Sequence, residues 1–519
     1  MIRLFYFYKD ICMTNTALEK KITLIHKEKN DVTNYIKSFR SNELIIGLCG
    51  AIGSGVKSLK EELCCSLKAQ GYIVVDIRLS KLISNAYPEL EVSLGNLSGY
   101  KRYKEFQDLG DALRKKNGNY FLAQTAVEDI KFHRDEIYID KYGEDYSDSK
   151  SVVVGVEKIA YILDQIKHPE EIALLKEVYN KNFYVVGLLR NDDERKRNLS
   201  DEGIENKEIT DLIDRDRKDS DKFGQQVEKS IQLSDYFIRN IDTKKNLTYS
   251  VDRFIKLIHG IGHLTPKIDE TGMYYAFSAS LRSACLSRQV GAAICDKDGN
   301  VLSTGCNDVP KAGGGLYQSE SESDKRCYNK GGRCYNDFHK NILKDQIMKL
   351  LSANGIDEAK KVSDLIMSQT KAESIIEYSR AVHAEMDAII SFARNTKAST
   401  IGMTLYCTTY PCHVCTRHII AAGIKKVIYI EPYEKSLAVS LYDDSIIDSS
   451  SSDDSKVLFD NFEGVSPRRY ASFFISNKPK KKAGKAMFYT IDDVTHMDHQ
   501  HLHGYADYET KIIEDLLKE

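Results

Sequence analysis

Short apolar runs separated by amphipathic stretches fill the first half of the chain. Residues 44–49 (LIIGLC) form one such run, which breaks into glycines before a helical pattern from Val56 to Lys68. Further runs cover 72–77 (YIVVDI), 151–156 (SVVVGV) and 183–189 (FYVVGLL), and a helical stretch at 169–180 (PEEIALLKEVYN) separates the last two. Buried strands alternating with helices predict a parallel sheet covered on both faces. The pattern lasts to about Ile261, where GIGHLTP supplies glycine and proline punctuation, and a domain boundary is placed there.

Beyond it, a helix over 272–285 precedes strands at 292–295 (AAIC) and 301–307 (VLSTGCN), joined by a turn from Asp296 to Asn300. Strands are predicted at 404–409 and 426–431, with helices at 383–394 and 412–422. The implied architecture is a sheet with helices laid over it. Residues 311–340 and 443–456 read as loops or insertions. A chain of 519 residues is too long for one core. The expected division is an extension over 1–40, an α/β domain over 41–262, and a second α/β/α domain over 263–519 with insertions and a C-terminal extension.

Charge narrows the partners. The chain has 74 basic and 76 acidic residues, a net charge of −2, whereas proteins gripping long nucleic acids usually carry a basic excess. That tilts the expectation toward free nucleotides. No apolar run reaches transmembrane length, so no membrane partner is expected. The opening MIRLFYFYKDICM is too short and interrupted for a secretory signal. Of twelve cysteines, Cys412 and Cys415 form a tight CxxC pair, which reads as reduced thiols plus a metal site in the cytoplasm.

His383-Ala384-Glu385, followed one strand later by Pro411-Cys412-His413-Val414-Cys415, is the H-x-E…P-C-x-x-C pattern of zinc nucleobase deaminases. Hydrolytic deamination needs a nucleophile better than water and a protonated leaving amine. Three ligands, His383, Cys412 and Cys415, leave a zinc position open and bring the pKa of bound water to about 7. Glu385, two residues from His383, is placed to move the protons. A structural zinc closed by a fourth ligand would need neither Glu385 nor Pro411.

With those residues stand SLRSACLSRQVGAAICDKDGNVLSTGCNDVP (280–310), HAEMDAI (383–389) and TLYCTTYPCHVCTRHIIAAGIKKVIYIEPY (404–433). Together they resemble deoxycytidylate deaminases. With the first half included, most of 42–475 resembles the bacterial antiphage dCTP deaminases, which join a P-loop kinase-like domain to a deoxycytidylate deaminase domain. The resemblance implies conversion of dCTP, and of dCMP too, to uracil nucleotides, which starves viral DNA synthesis. It implies, for some members, an inhibitory RNA; a homo-oligomer is expected as well. It places Asn307 on the nucleoside, Arg288 near the substrate, and Lys435, Ser436, Arg468 and Arg469 as phosphate contacts. Asp387 departs from the family, which usually has Asn there. Deamination of bases within DNA or RNA, and a nucleotide-sensing module without activity, are the alternatives.

After the first strand, Gly50-Ala51-Ile52-Gly53-Ser54-Gly55 opens a helix, the context of a phosphate cradle. Val56 stands where the G-x-x-x-x-G-K-[ST] pattern has lysine, and Lys57 is displaced by one. The turn is expected to bind a nucleotide, with or without Mg²⁺, in a regulatory role; an active kinase and a purely structural turn are alternatives. FQDLGDALR (106–114) and 216–240 resemble segments of deoxynucleotide monophosphate kinases. Cys327, Cys334 and His339 offer a second zinc site or a metal-free loop. The histidine-rich 496–505 and the basic 478–485 read as solvated.

Overall fold

The structure, a computed structural model, describes residues 41–143, 157–217, 223–239, 243–433, 436–448, 453–476 and 478–491. The first sheet contains β1 (Leu44–Gly50), β2 (Ile73–Arg78), β3 (Ile159–Asp164), β4 (Phe183–Leu188) and β5 (Tyr236–Ile238). Its order is β5-β4-β1-β3-β2, all parallel. β1 and β4 are buried along their whole length, which explains their unbroken apolar sequence. α1 (Val56–Ala69), α2 (Gly99–Asn117), α3 (Phe121–Tyr142), α4 (Pro169–Tyr179) and α5 (Lys244–His259) accompany this sheet. The run at 151–156, expected as a strand, lies outside the described residues, and β3 follows it.

α6 (Ile268–Ser280) leads into the second sheet. The predicted helix ran to 285, but Ser283 Oγ donates to the Asn307 carbonyl at 2.6 Å and the Ala284 N–H donates to Asp308 at 2.8 Å. Those bonds divert the chain from the helix. The sheet comprises β6 (Gly291–Cys295), β7 (Val301–Cys306), β8 (Thr404–Thr409), β9 (Lys426–Glu431), β10 (Ile446–Asp448) and β11 (Val457–Asn461). Its order is β10-β11-β9-β8-β6-β7; the β6–β7 and β6–β8 pairs are antiparallel and the rest parallel. Two expected loops contain structure: β10 lies within 443–456, and α7 (Tyr335–Ala353) begins within 311–340.

The C-terminal chain then returns to the first sheet, where β12 (Gly464–Val465) pairs antiparallel with β5. Glu270 of α6, fully buried, accepts from Arg253 of α5 at 2.6 Å and from the Val465 N–H at 3.0 Å. Phe237, Met273, Tyr406 and Phe462 share one apolar cluster, so the core runs from one sheet to the other. The hairpin β13–β14 (Lys481–Lys482, Lys485–Ala486) is exposed.

Candidate metal centre and active site

α8 (Ala384–Asn395) and α9 (His413–Ala421) carry the site. α8 lies close on β7 because Gly305 has no side chain; a Cβ there would stand 2.3 Å from the Ala384 carbonyl oxygen and the Ala388 nitrogen. Asp387, one turn along α8, fastens the same contact by accepting the Cys306 N–H at 3.1 Å. Burial pushes its carboxyl up.

His383 and Cys412 each occupy the extended position just before a helix, at the N-termini of α8 and α9. Free N–H groups and the helix dipole favour negative charge there. The Cys415 N–H points at Cys412 Sγ, 3.4 Å away. His383 Nδ1 lies 3.3 Å from each thiol sulfur, and Glu385 Oε2 is 3.4 Å from Cys415 Sγ. The ligand atoms of His383, Cys412 and Cys415 all fall within 4.8 Å of one another and could hold a metal ion. One imidazole nitrogen and two thiols suit zinc with a fourth position open, and His383, Glu385 and Cys412 line a cavity of about 170 Å³.

The electrostatics fit a cation between these groups. A hydrogen bond from Cys415, then one with His383, draws the Cys412 thiol below the usual thiol range. The bond to Cys412 raises His383. Burial raises Glu385, with the Cys412 charge adding to it.

Other expected substrate residues hold the walls in place. Asn307 lines the cavity, but its Oδ1 accepts the Val290 N–H at 2.7 Å and its Nδ2 donates to the Arg288 carbonyl at 2.8 Å. It therefore shapes the loop that carries Arg288. The Arg288 guanidinium lies over the Tyr433 ring at 5.2 Å and 3.8 Å from Glu431. Ser436 Oγ donates to the Pro411 carbonyl at 2.9 Å, bracing the turn before Cys412. Lys435 lies outside the described residues. Arg469 faces Asp235 at 3.6 Å, beside the first sheet; burial raises the carboxyl of Glu431, against which Arg288 and, last, Arg468 pull it down.

Sequence reasoning missed Asn336 and Asp337, which line the cavity from the first turn of α7, and Tyr433 opposite. The signal of Asn336 and Asp337 was hidden in an insertion that read as loop, whereas Tyr433 ends the motif-bearing stretch 404–433. Cys334 also reaches this cavity. Among the described residues, Cys327, Cys334 and His339 do not form a three-ligand group, and the His339 ring packs against Phe338 and Tyr378.

The glycine turn after β1 is differently occupied. Gly53 and Gly55 have φ of 76° and 87°, and a Cβ on Gly53 would meet the Arg195 carbonyl at 2.7 Å. The Ile52 N–H donates to Asp216 Oδ2 at 2.7 Å. Asp216, fully buried, also accepts from Lys167 Nζ at 2.8 Å, and Lys167 donates to the Gly50 carbonyl at 3.1 Å. Asn198 donates to the Gly53 carbonyl at 2.7 Å. Val56 is buried in the core and Lys57 is exposed; Lys60, a turn later, is held by Asp164 at 2.7 Å. No helix among the described residues is long and apolar enough to cross a membrane.

Residues 266–431 match the family described as the cytidine and deoxycytidylate deaminase zinc-binding region. The deoxycytidylate deaminase of Enterobacteria phage T4 is 31% identical over 168 residues, covering 32% of this chain and 79% of that protein. The deoxycytidylate deaminase of Enterobacteria phage T2 is 32% identical over 166 residues, covering 32% of this chain and 81% of that protein. The chain belongs to the cytidine and deoxycytidylate deaminase family. Family membership and the His/Cys cluster together support a deaminase-type hydrolytic activity on a cytidine or deoxycytidine nucleotide.

Proposed function

We propose that the chain is a zinc-dependent deaminase of free deoxycytidine nucleotides, converting dCTP and dCMP to dUTP and dUMP, and that it serves antiphage defence by depleting dCTP. The observation that carries the chemistry is the buried Glu385 carboxyl set 3.4 Å from Cys415, beside the His383/Cys412/Cys415 cluster, with Glu385, His383 and Cys412 lining one cavity. Zinc bound by those three residues supplies Lewis acidity toward the attacking water.

The chain's own groups do the rest. Glu385 takes a proton from the water as the water's oxygen adds to C4 of cytosine, and gives it to N3; it then takes the proton of the new C4 hydroxyl and passes it to the amine, so that the carbonyl forms, the C4–N bond breaks and ammonia leaves. Burial keeps the protonated form of Glu385 within reach, as a group that both takes and returns a proton requires. Arg288, over Tyr433 at the cavity wall, offers charge to the nucleotide's phosphates.

In the same reading, the first half is a kinase-like domain that keeps the shape of a phosphate turn without the chemistry of transfer. Val56 in the core and Lys57 in solvent support that view, since neither supplies a cation to the turn. Its role is regulatory.

Purified protein loaded with zinc, offered dCTP, dCMP, cytidine triphosphate and a cytosine-containing single strand, separates the outcomes. Uracil and ammonia from the deoxynucleotides bear the reading out. Product from the single strand alone would replace it with nucleic-acid editing.

A further inference from the structure

The cavity at the metal centre is poor in positive charge. Among the described residues that line it, Arg288 is the one lysine or arginine, while Asp337 and Glu385 are acids. A phosphate entering beside two carboxylates has one cation to meet there, so the place of that guanidinium decides how the nucleotide is held. Arg288 belongs to no helix or strand, and its side chain is 45% exposed. Left to itself, an arginine so exposed samples many rotamers.

Three residues restrict it. Asn307 fixes the backbone, with Nδ2 donating to the Arg288 carbonyl at 2.8 Å and Oδ1 accepting the Val290 N–H at 2.7 Å. The Tyr433 ring meets the guanidinium at 5.2 Å, within reach of a cation–π contact. The third is Glu431, the last residue of β9, whose Oε2 lies 3.8 Å from Arg288 Nη1.

Glu431 is itself anchored to the sheet. Thr409 stands opposite it in the β8–β9 register, and its Oγ1 donates to the same Oε2 at 3.1 Å. The Tyr410 N–H donates to the Glu431 carbonyl at 2.7 Å. Burial raises the Glu431 carboxyl, and among the charges that oppose this Arg288 comes first. Thr409, Tyr410 and Arg288 line the cavity, but Glu431 does not. A carboxylate so placed acts on the guanidinium rather than on the substrate.

We propose that Glu431 is a positioning residue for the nucleotide's phosphate: it holds Arg288 in one orientation beside Tyr433, leaving the other guanidinium N–H groups to face the phosphate. The proposal rests on the deaminase reading above, and adds to it the device by which the site favours a phosphorylated nucleoside. An arginine fixed beforehand loses less freedom when the phosphate binds. Glu431 takes no part in the proton transfers, so its removal is felt in binding and not in turnover.

A double-mutant cycle tests it on the zinc-loaded full chain carrying Glu385→Gln, with Kd for dCMP read by calorimetry. Glu431→Gln should raise Kd about three- to tenfold, and by less than about twofold when Arg288→Ala is already present. With Glu385 restored, Glu431→Gln should keep kcat for dCMP within about twofold of native. Should Glu431→Gln fail to fold, Glu431→Asp, which withdraws the carboxylate, should raise Kd in the same sense and again only while Arg288 is present. Three results each overturn the proposal: an unchanged Kd, a rise of equal size in the Arg288→Ala background, or a fall in kcat with Kd unmoved. The second is what a merely structural role would give. A native chain that deaminates neither dCMP nor dCTP would overturn the deaminase reading and this proposal with it, whereas native turnover with any of the three overturns this proposal alone.

Discussion

Two strand-to-helix turns in this molecule present backbone N–H groups at a helix N-terminus, and they differ in what faces those groups. At the start of α9, Cys412 sits before the helix with its sulfur held by the Cys415 N–H, and His383 approaches from α8. The groups converge without filling the cavity beside them. At the turn 50–55, the chain's own Asp216 occupies the Ile52 N–H, and Lys167 neutralises Asp216. The same local geometry is thus open to an outside ligand in one half, and closed by an internal carboxylate in the other. A turn's backbone shape shows that an anion is welcome; only the surrounding side chains show whose anion it is.

The largest effect expected at the open turn comes from its ligands. Cys412→Ala should lose bound zinc and deamination together, read by elemental analysis alongside product formation. Metal retained at native stoichiometry in that variant would remove Cys412 from the ligand set. Glu385→Gln should keep the metal and lose about 10²-fold or more in turnover. Near-native turnover would assign the proton transfers to another group.

Two effects on stability follow. Gly305→Ala forces a Cβ against the backbone of α8, and should cost about 1–3 kcal/mol in denaturant unfolding, with activity falling as His383 and Glu385 shift. The first half carries a pH-dependent weakness at His259. Burial lowers its pKa to about 4; its Nδ1 faces the Ile255 carbonyl at 2.7 Å and its Nε2 faces the Tyr72 hydroxyl at 2.8 Å. A histidine held neutral in the fold but free to charge when unfolded leaves the unfolded chain binding more protons between about pH 6.5 and 4. Stability should therefore fall as pH drops through that window, by up to about 3 kcal/mol. His259→Phe should flatten that slope, whatever its effect at neutral pH.

The smallest effect addresses the comparison itself. Asp216→Ala should free the Ile52 N–H and Lys167, and so raise the affinity of the turn for inorganic phosphate, measured by calorimetry. Unchanged affinity in a folded variant would mean that Asp216 is not what closes the turn.

These contrasts explain what the sequence could and could not reveal. All three residues of the His383/Cys412/Cys415 cluster lie inside two short motifs, so residue types and spacing were enough to bring them together as a group that could hold a metal. The parallel strands of the first half were visible because burial on both faces writes continuous apolar runs. Asp216 is 164 positions from Ile52, and no local pattern links them. Asn307 was legible as a residue of the site, yet its bonds to residues 288–290 direct it to the loop backbone. α7 was hidden because it leaves no residue fully buried, so its sequence lacks a clear apolar stripe. β12 was unreadable for another reason: two residues pairing with a strand more than 200 positions earlier carry no periodic signal.

The central claim is that His383, Cys412 and Cys415 hold the metal on which deamination depends. Chelated protein titrated with zinc, with bound metal and uracil nucleotide formation followed in the same samples, tests it most directly. The account predicts that turnover of a deoxycytidine nucleotide rises in proportion to zinc bound, reaches its plateau as the site fills, and is absent from Cys415→Ala at every zinc concentration. Turnover that is independent of bound zinc, or that persists in Cys415→Ala, would contradict it.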